Sequence, residues 1–240
     1  MPRAHNGDGL QFAPPPGIQR SMTSEHDVFP CGVTSLRIPG PTGALELMAT
    51  CPDEQKAVGA TGVICHPHPL QGGTMTNKVV HTLARAFGDL GLRTVRFNFR
   101  GVGASEGVFG NAEGELEDLL AVLDWTRACR PHDVIWLGGF SFGGYVAARA
   151  AQQVPVAQIV TVAPAVNLYP FASMRSPNAP WLVVQGDDDD VVPANAVNEW
   201  AQRMQPPPTI VMLSGVGHFF HGRLNDLRQA ILSHVNALPA

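Results

Sequence analysis

A chain of 240 residues exceeds the roughly 150 of an average domain, but α/β folds often use such a length as one domain around one core. With 45% hydrophobic and 15% charged residues the chain is not intrinsically disordered as a whole, its Gly 25 and Pro 21 mark many turns without low complexity, and no run of about 18 apolar residues is there to cross a bilayer. The net charge of −4, with 16 basic residues placed singly along the chain, leaves no footprint for a phosphate backbone, so neither nucleic acid nor a membrane is expected as a partner.

Residues 1–30 are rich in Pro and Gly and lack apolar periodicity; they read as a disordered or loosely packed tail ahead of a folded domain over 31–240. Near Arg3 there is no uninterrupted apolar segment of about 7–15 residues such as a secretory signal requires, and a cytoplasmic protein is expected. Cys31, Cys51, Cys65 and Cys129 lie far apart with no C-x-x-C spacing, and read as reduced thiols.

From Val33 onward two kinds of segment follow one another. Short β-branched and aliphatic runs bounded by Gly, Pro or Asp predict strands at Val33–Ile38, Ala44–Thr50, Gly62–His66, Arg93–Phe99, Val134–Phe140, Gln158–Ala163, Trp181–Gln185 and Thr209–Leu213. Between them, helical spacing predicts helices at Thr76–Leu90, Glu113–Arg130, Phe142–Gln152, Ala194–Met204 and Arg223–Leu238; in the second, Leu116, Leu119, Leu120 and Leu123 share one face. Two strands followed by alternating strand and helix predict an α/β fold. Its sheet should have about eight mostly parallel strands, helices on both faces and an antiparallel N-terminal edge.

The chemistry-bearing residues sit where these strands end. Gly139-Phe140-Ser141-Phe142-Gly143 has the form G-x-S-x-G between a strand and a helix. A turn that tight exposes the Ser141 hydroxyl at the sheet's carboxyl edge and leaves room only for glycine two positions to either side. A hydroxyl is a poor nucleophile unless a base, itself oriented by a carboxylate, takes its proton. An acidic run, Asp187-Asp188-Asp189-Asp190, follows the strand ending at Gln185, and His218 follows the last strand, with His221 as its competitor. Gly217 lets the backbone turn the His218 ring toward the elbow, which favours His218. Without EF-hand spacing in the acidic run, or further ligands for His66-x-His68, no metal site is expected. Gly101, Gly103 and Glu106 break the dinucleotide pattern and no phosphate loop is present, so no cofactor is expected either.

Over residues 33–238 the sequence resembles the α/β-hydrolase superfamily, and Cys65-His66-Pro67-His68-Pro69-Leu70-Gln71-Gly72-Gly73-Thr74-Met75, with Asn77-Lys78, is similar to a subgroup of small lidless bacterial serine esterases. The resemblance implies that 31–240 is a catalytic domain and that Asp189, before Val191-Val192-Pro193, is the acid, with Asp187 and Asp190 as fallbacks. It also implies an oxyanion hole made of two backbone N–H groups, that of Phe142 after the nucleophile and, matching His68-Pro69-Leu70 to the family's H-G-x pattern with proline in place of glycine, that of Leu70. Asn98 to Ser105 resembles the R-G-x-G-x-S turn that shapes the loop beside the site. Only 17 residues separate Ala163 from Trp181, where lids are commonly inserted, so an open site rimmed by Phe109, Phe142, Val191, Phe219 and Phe220 is expected. The activity so implied is hydrolysis of a small-molecule carboxylic ester by water, with short acyl groups and a broad alcohol range. A thioesterase, an oligopeptidase-like peptidase and a non-catalytic binding protein are the alternatives; oligomeric state is left open.

Overall fold

The computed structural model describes residues 29–30, 32–52 and 56–235. The expected tail therefore lies almost wholly outside the described residues. Phe29, assigned to that tail, is buried, with its ring 5.8 Å from that of Trp125 and the Arg130 guanidinium 5.6 Å above it. Packing thus begins by Phe29, two residues ahead of the boundary drawn from composition.

Eight strands form one sheet: β1 (Val33–Gly40), β2 (Gly43–Thr50), β3 (Ala60–Cys65), β4 (Arg93–Phe97), β5 (Val134–Phe140), β6 (Gln158–Val162), β7 (Trp181–Gly186) and β8 (Thr209–Leu213). Their order is β1-β2-β4-β3-β5-β6-β7-β8. The first hairpin and its junction with β4 are antiparallel, and every other pairing is parallel. All eight expected strands are present, with ends shifted by at most two residues. The inner strands β3, β4, β6 and β7 are buried at every position, which explains why they read as continuous apolar runs and not as alternating ones.

Helices α1 (Lys78–Asp89) and α5 (Leu224–His234) pack together on one face; α2 (Glu113–Cys129), α3 (Phe142–Ala150) and α4 (Ala194–Arg203) cover the other. One core cluster, with Phe87, Trp136, Phe140 and Phe220, lies under α1 and α5. A second, with Phe97, Phe99, Leu119, Leu123, Phe142 and Phe171, lies under the other three. Between β6 and β7 the only regular structure is a 3-10 turn, Phe171–Ser173, so no helical cap made of described residues covers the carboxyl edge. Among the described residues no helix is long and apolar enough to cross a membrane.

The chain runs outward from β3 to β4 and then returns to place β5 on the other side of β3. That reversal opens a crevice at the carboxyl ends of β3 and β5, where α/β sheets bind ligands. Its β4 side is fixed by the 98–105 turn. Arg100 makes a buried double hydrogen bond to Asp118 of α2, Nε–Oδ1 2.9 Å and Nη2–Oδ1 2.8 Å among its contacts, and its backbone N–H donates to the same carboxylate. Asn98 Nδ2 donates to Glu46 at 2.7 Å, and Ser105 Oγ to the Asn98 carbonyl at 2.6 Å. These are the contacts of a scaffold, in keeping with the structural role expected of the turn.

Candidate active site

β5 ends at Phe140 and α3 begins at Phe142, so Ser141 alone makes the turn, at φ 53° and ψ −114°. Such a conformation costs a non-glycine residue about 1–3 kcal/mol and persists only where its surroundings impose it. Here the Ser141 N–H donates to the Val162 carbonyl at 2.9 Å, tying the elbow to β6. A Cβ on Gly139 would overlap the Gly143 carbonyl, and one on Gly143 would overlap the Cys65 carbonyl, so both flanking glycines are sterically required.

The sheet brings Ser141, Asp189 and His218 together from three separate loops. His218 Nδ1 lies 2.8 Å from Asp189 Oδ2, and His218 Nε2 lies 3.2 Å from Ser141 Oγ. All three are buried, Ser141 at 8% exposure and His218 at 4%. Asp189 Oδ1 accepts from the Val191 and Val192 N–H groups at 2.9 and 2.7 Å, and Oδ2 accepts from Gln185 Nε2 at 2.9 Å. Burial alone would raise the Asp189 pKa, but hydrogen bonds from His218 and these two backbone amides outweigh it and hold the carboxyl below its ordinary value. An ionised Asp189 can only accept. The His218 proton therefore sits on Nδ1, and the Nε2 lone pair is left for the serine hydroxyl.

The fallback positions are elsewhere: Asp187 accepts from the Gly215 N–H at 2.6 Å, Asp190 is exposed, and His221 is exposed with its ring stacked on Phe219. Gln185, which braces the acid from the carboxyl end of β7, was not singled out from sequence. A glutamine closing an apolar strand four residues before the acid is the signal that points to it.

The 66–73 loop corrects one expectation. The Leu70 N–H, expected as an oxyanion donor, donates instead to His68 Nδ1 at 3.1 Å, and the Leu70 side chain is 72% exposed. It opens a 3-10 turn, Pro69–Gln71, for which the His68 side chain is the cap. His68 is among the backbone N–H groups of this segment, with Gly72, that find no acceptor among the described residues. β3 ends at Cys65, one residue earlier than expected. Phe142, the first residue of α3, has a backbone N–H without an intrahelical acceptor, as the helix start requires.

His66 anchors this loop. Its Nε2 accepts from the Phe99 N–H at 3.0 Å, and its Nδ1–H reaches the Pro67 carbonyl at 2.6 Å, so both ring nitrogens are committed to backbone. Burial first, and then the charge of His68, push its pKa down to about 4 from 6.5, against the Pro67 hydrogen bond. The folded state thus binds neutral His66, while the unfolded chain takes up a proton as pH falls below its ordinary value. Stability is full above about pH 6.5 and lost as pH falls toward 4, by about 3 kcal/mol in all. We expect His66→Gln, whose amide can both accept and donate but does not titrate, to lose less stability than the wild type between about pH 7 and 4.5 in urea titrations. Equal losses would contradict this role.

Around the elbow, the Phe142 ring meets His68, Tyr169 and Phe109 at centroid distances of 5.2, 5.2 and 6.0 Å. Phe109 and Tyr169 are half-buried and form a wall on the α2 and α3 side. Opposite, Phe219 is 50% exposed against His218, and Val191 is 36% exposed. Phe220, expected on the rim, is fully buried under α1 and α5: its backbone turns to φ 52° and points the ring into the core. Tyr169 takes a place on the wall that the sequence did not assign, because its position depends on stacking with Tyr145, 24 residues earlier, at 4.8 Å.

An eight-stranded sheet with an elbow serine, a histidine and a buried aspartate defines the class of α/β serine hydrolases. A family model described as serine aminopeptidase S33 matches residues 63–176. An α/β serine hydrolase homologue from Coxiella burnetii is 50% identical, with a TM-score of 0.82 over 85% of this chain and 97% of that one. A Xanthomonas campestris α/β serine hydrolase without a lid is 41% identical, with a TM-score of 0.83 over 88% and 99%. An uncharacterized protein of Rickettsia prowazekii is 33% identical over 205 residues, 80% of this chain and 84% of its own length. The chain belongs to the lidless α/β serine hydrolase family.

Proposed function

We propose that the protein hydrolyses small carboxylic esters through an acyl-enzyme on Ser141. In this reading the Ser141 hydroxyl attacks the ester carbonyl as His218 Nε2 takes its proton. The Phe142 and His68 N–H groups receive the developing oxyanion, and His218 returns the proton to the departing alcohol. Water then attacks the acyl group by the same route in reverse roles. Asp189 stays ionised throughout and steadies the imidazolium. No cofactor or metal enters any step.

The observation that carries the reading is the unbroken chain from Asp189 Oδ2 through His218 to Ser141 Oγ, at 2.8 and 3.2 Å. The choice of ester over peptide rests on the surroundings. The serine is 8% exposed between aromatic side chains, which suits a short acyl group, and among the described residues no cap supplies the extended strand of contacts that holds a peptide. Against a series of aryl esters of increasing acyl length, kcat/KM should be greatest at two to four carbons and show no jump above the micellar threshold. A preference for long acyl chains, or faster cleavage of an aminoacyl amide than of any ester, would replace this reading with a lipase-like or peptidase one.

A further inference from the structure

The basic residues that stand singly in the sequence do not stand singly in the fold. Lys78, His81, Thr82 and Arg85 fall at i, i+3, i+4 and i+7 of α1 and so share one face. With Thr76, and with Leu224, Asn225 and Arg228 from α5 and its approach, they line a cleft of about 250 Å³. Three of the chain's 16 basic residues, and no carboxylate, are among its eight lining residues.

The charge there is not compensated locally. Arg228 is paired with Asp89 at 2.5 Å, but among the described residues Lys78 and Arg85 join no ion pair. Behind them Arg96 is buried, donating to the Met75 carbonyl and the Met48 sulfur, with no carboxylate partner. Partial burial first, and then Arg96 and Arg85, lower the pKa of His81, which lines the same cleft. Like charges at i, i+4 or facing one cavity repel, and a protein of net charge −4 has carboxylates enough to quench them. A cavity this size is smaller than those that enclose a whole ligand, about 300–1,000 Å³, and suits a substituent.

A smaller depression nearer the serine shares two lining residues with the cleft. Lys78 and Leu224 line this depression of about 150 Å³ together with Phe219 and His221, and Phe219 packs its ring 5.1 Å from that of His218. We propose that the α1–α5 cleft is a binding site for a phosphate-type oxyanion, gripped by Lys78 and Arg85 with Asn225 and His81 as hydrogen-bonding partners. Carried on the alcohol part of an ester, such a group would be held while its carbonyl lies at Ser141; this use rests on the esterase reading, whereas the anion site does not.

The direct test is an NMR titration of the whole protein with inorganic phosphate. Saturable amide shifts are expected over residues 78–85 and 224–228, in the millimolar range, weakened about tenfold or more in the Lys78→Ala/Arg85→Ala double variant. Sodium chloride at matched ionic strength should not reproduce them. Shifts that never saturate, that chloride reproduces, or that persist in the double variant overturn the site. A second arm compares phenyl acetate with 4-acetoxyphenyl phosphate. A lower KM for the charged ester, lost in the double variant, makes the oxyanion part of the substrate; saturable phosphate binding without that difference supports a site for the free anion. No turnover of either ester by wild-type protein, with phosphate still bound, removes the esterase reading and leaves the anion site standing.

Discussion

Replacing Ser141 by alanine should lower kcat for a short-chain aryl ester by roughly 10⁶-fold, the loss seen when the nucleophile of a serine triad is removed. The reason is geometric as well as chemical. Ser141 is the single residue between β5 and α3, its Oγ is the only hydroxyl among the described residues that His218 Nε2 reaches, and its N–H is tied to β6. Alanine keeps the Cβ and the backbone bond to Val162, so the fold should persist with an unchanged far-UV spectrum. Loss of the hydroxyl removes the bond-forming atom itself. A folded Ser141→Ala protein that turns over ester at near wild-type rates would show that the chemistry runs elsewhere.

Asp189→Asn should cost about 10⁴-fold in kcat while leaving the three groups in place. The carboxylate accepts four hydrogen bonds, from Val191, Val192, Gln185 and His218. An asparagine can keep the two backbone bonds through Oδ1, but its amide then faces Gln185 Nε2 and His218 Nδ1 with donor hydrogens. Donor against donor at His218 drives the imidazole proton to Nε2, where it blocks acceptance of the serine proton. The effect should fall on kcat with little change in KM, since no substrate atom touches Asp189 in this scheme. A loss of tenfold or less, in protein shown to be folded, would mean that the tautomer is set by something other than this carboxylate.

Much of this arrangement was legible because it is local. The elbow declares itself in five residues, since glycine on both sides of a serine between an apolar run and a small-residue helix has one common physical cause. The strands were legible because β3 to β7 are buried on both faces, which writes them as apolar runs with Gly, Pro or Asp at their ends. The acidic run and His218 stood in order after the elbow, but the choice of Asp189 within that run rested on the family resemblance.

What was not legible depends on contacts made across the fold. Leu70 was a donor candidate because Pro67 and Pro69 lack an N–H and the family pattern was matched to His68-Pro69-Leu70; only the folded loop shows that the Leu70 N–H is taken by the His68 ring. Phe219 and Phe220 are neighbours of identical chemistry, and only the backbone turn at Phe220 decides that one faces solvent and the other the core. Gln185 braces the acid and Tyr169 completes the aromatic wall through partners whose positions the sheet must first set. The basic face of α1 was written in helical spacing, but its pairing with α5, and the lack of carboxylates opposite, follow only from the packing of the two helices.

The central claim is that Ser141 is an activated nucleophile, and covalent labelling tests it most directly. A fluorophosphonate probe reacts with a serine whose proton is withdrawn by a positioned base and spares ordinary hydroxyls. Incubation of the whole protein with the probe, followed by peptide mass spectrometry, should give one adduct, on Ser141, lost when His218 is changed to alanine. An unlabelled protein, or an adduct on another residue that survives the loss of His218, would contradict the account.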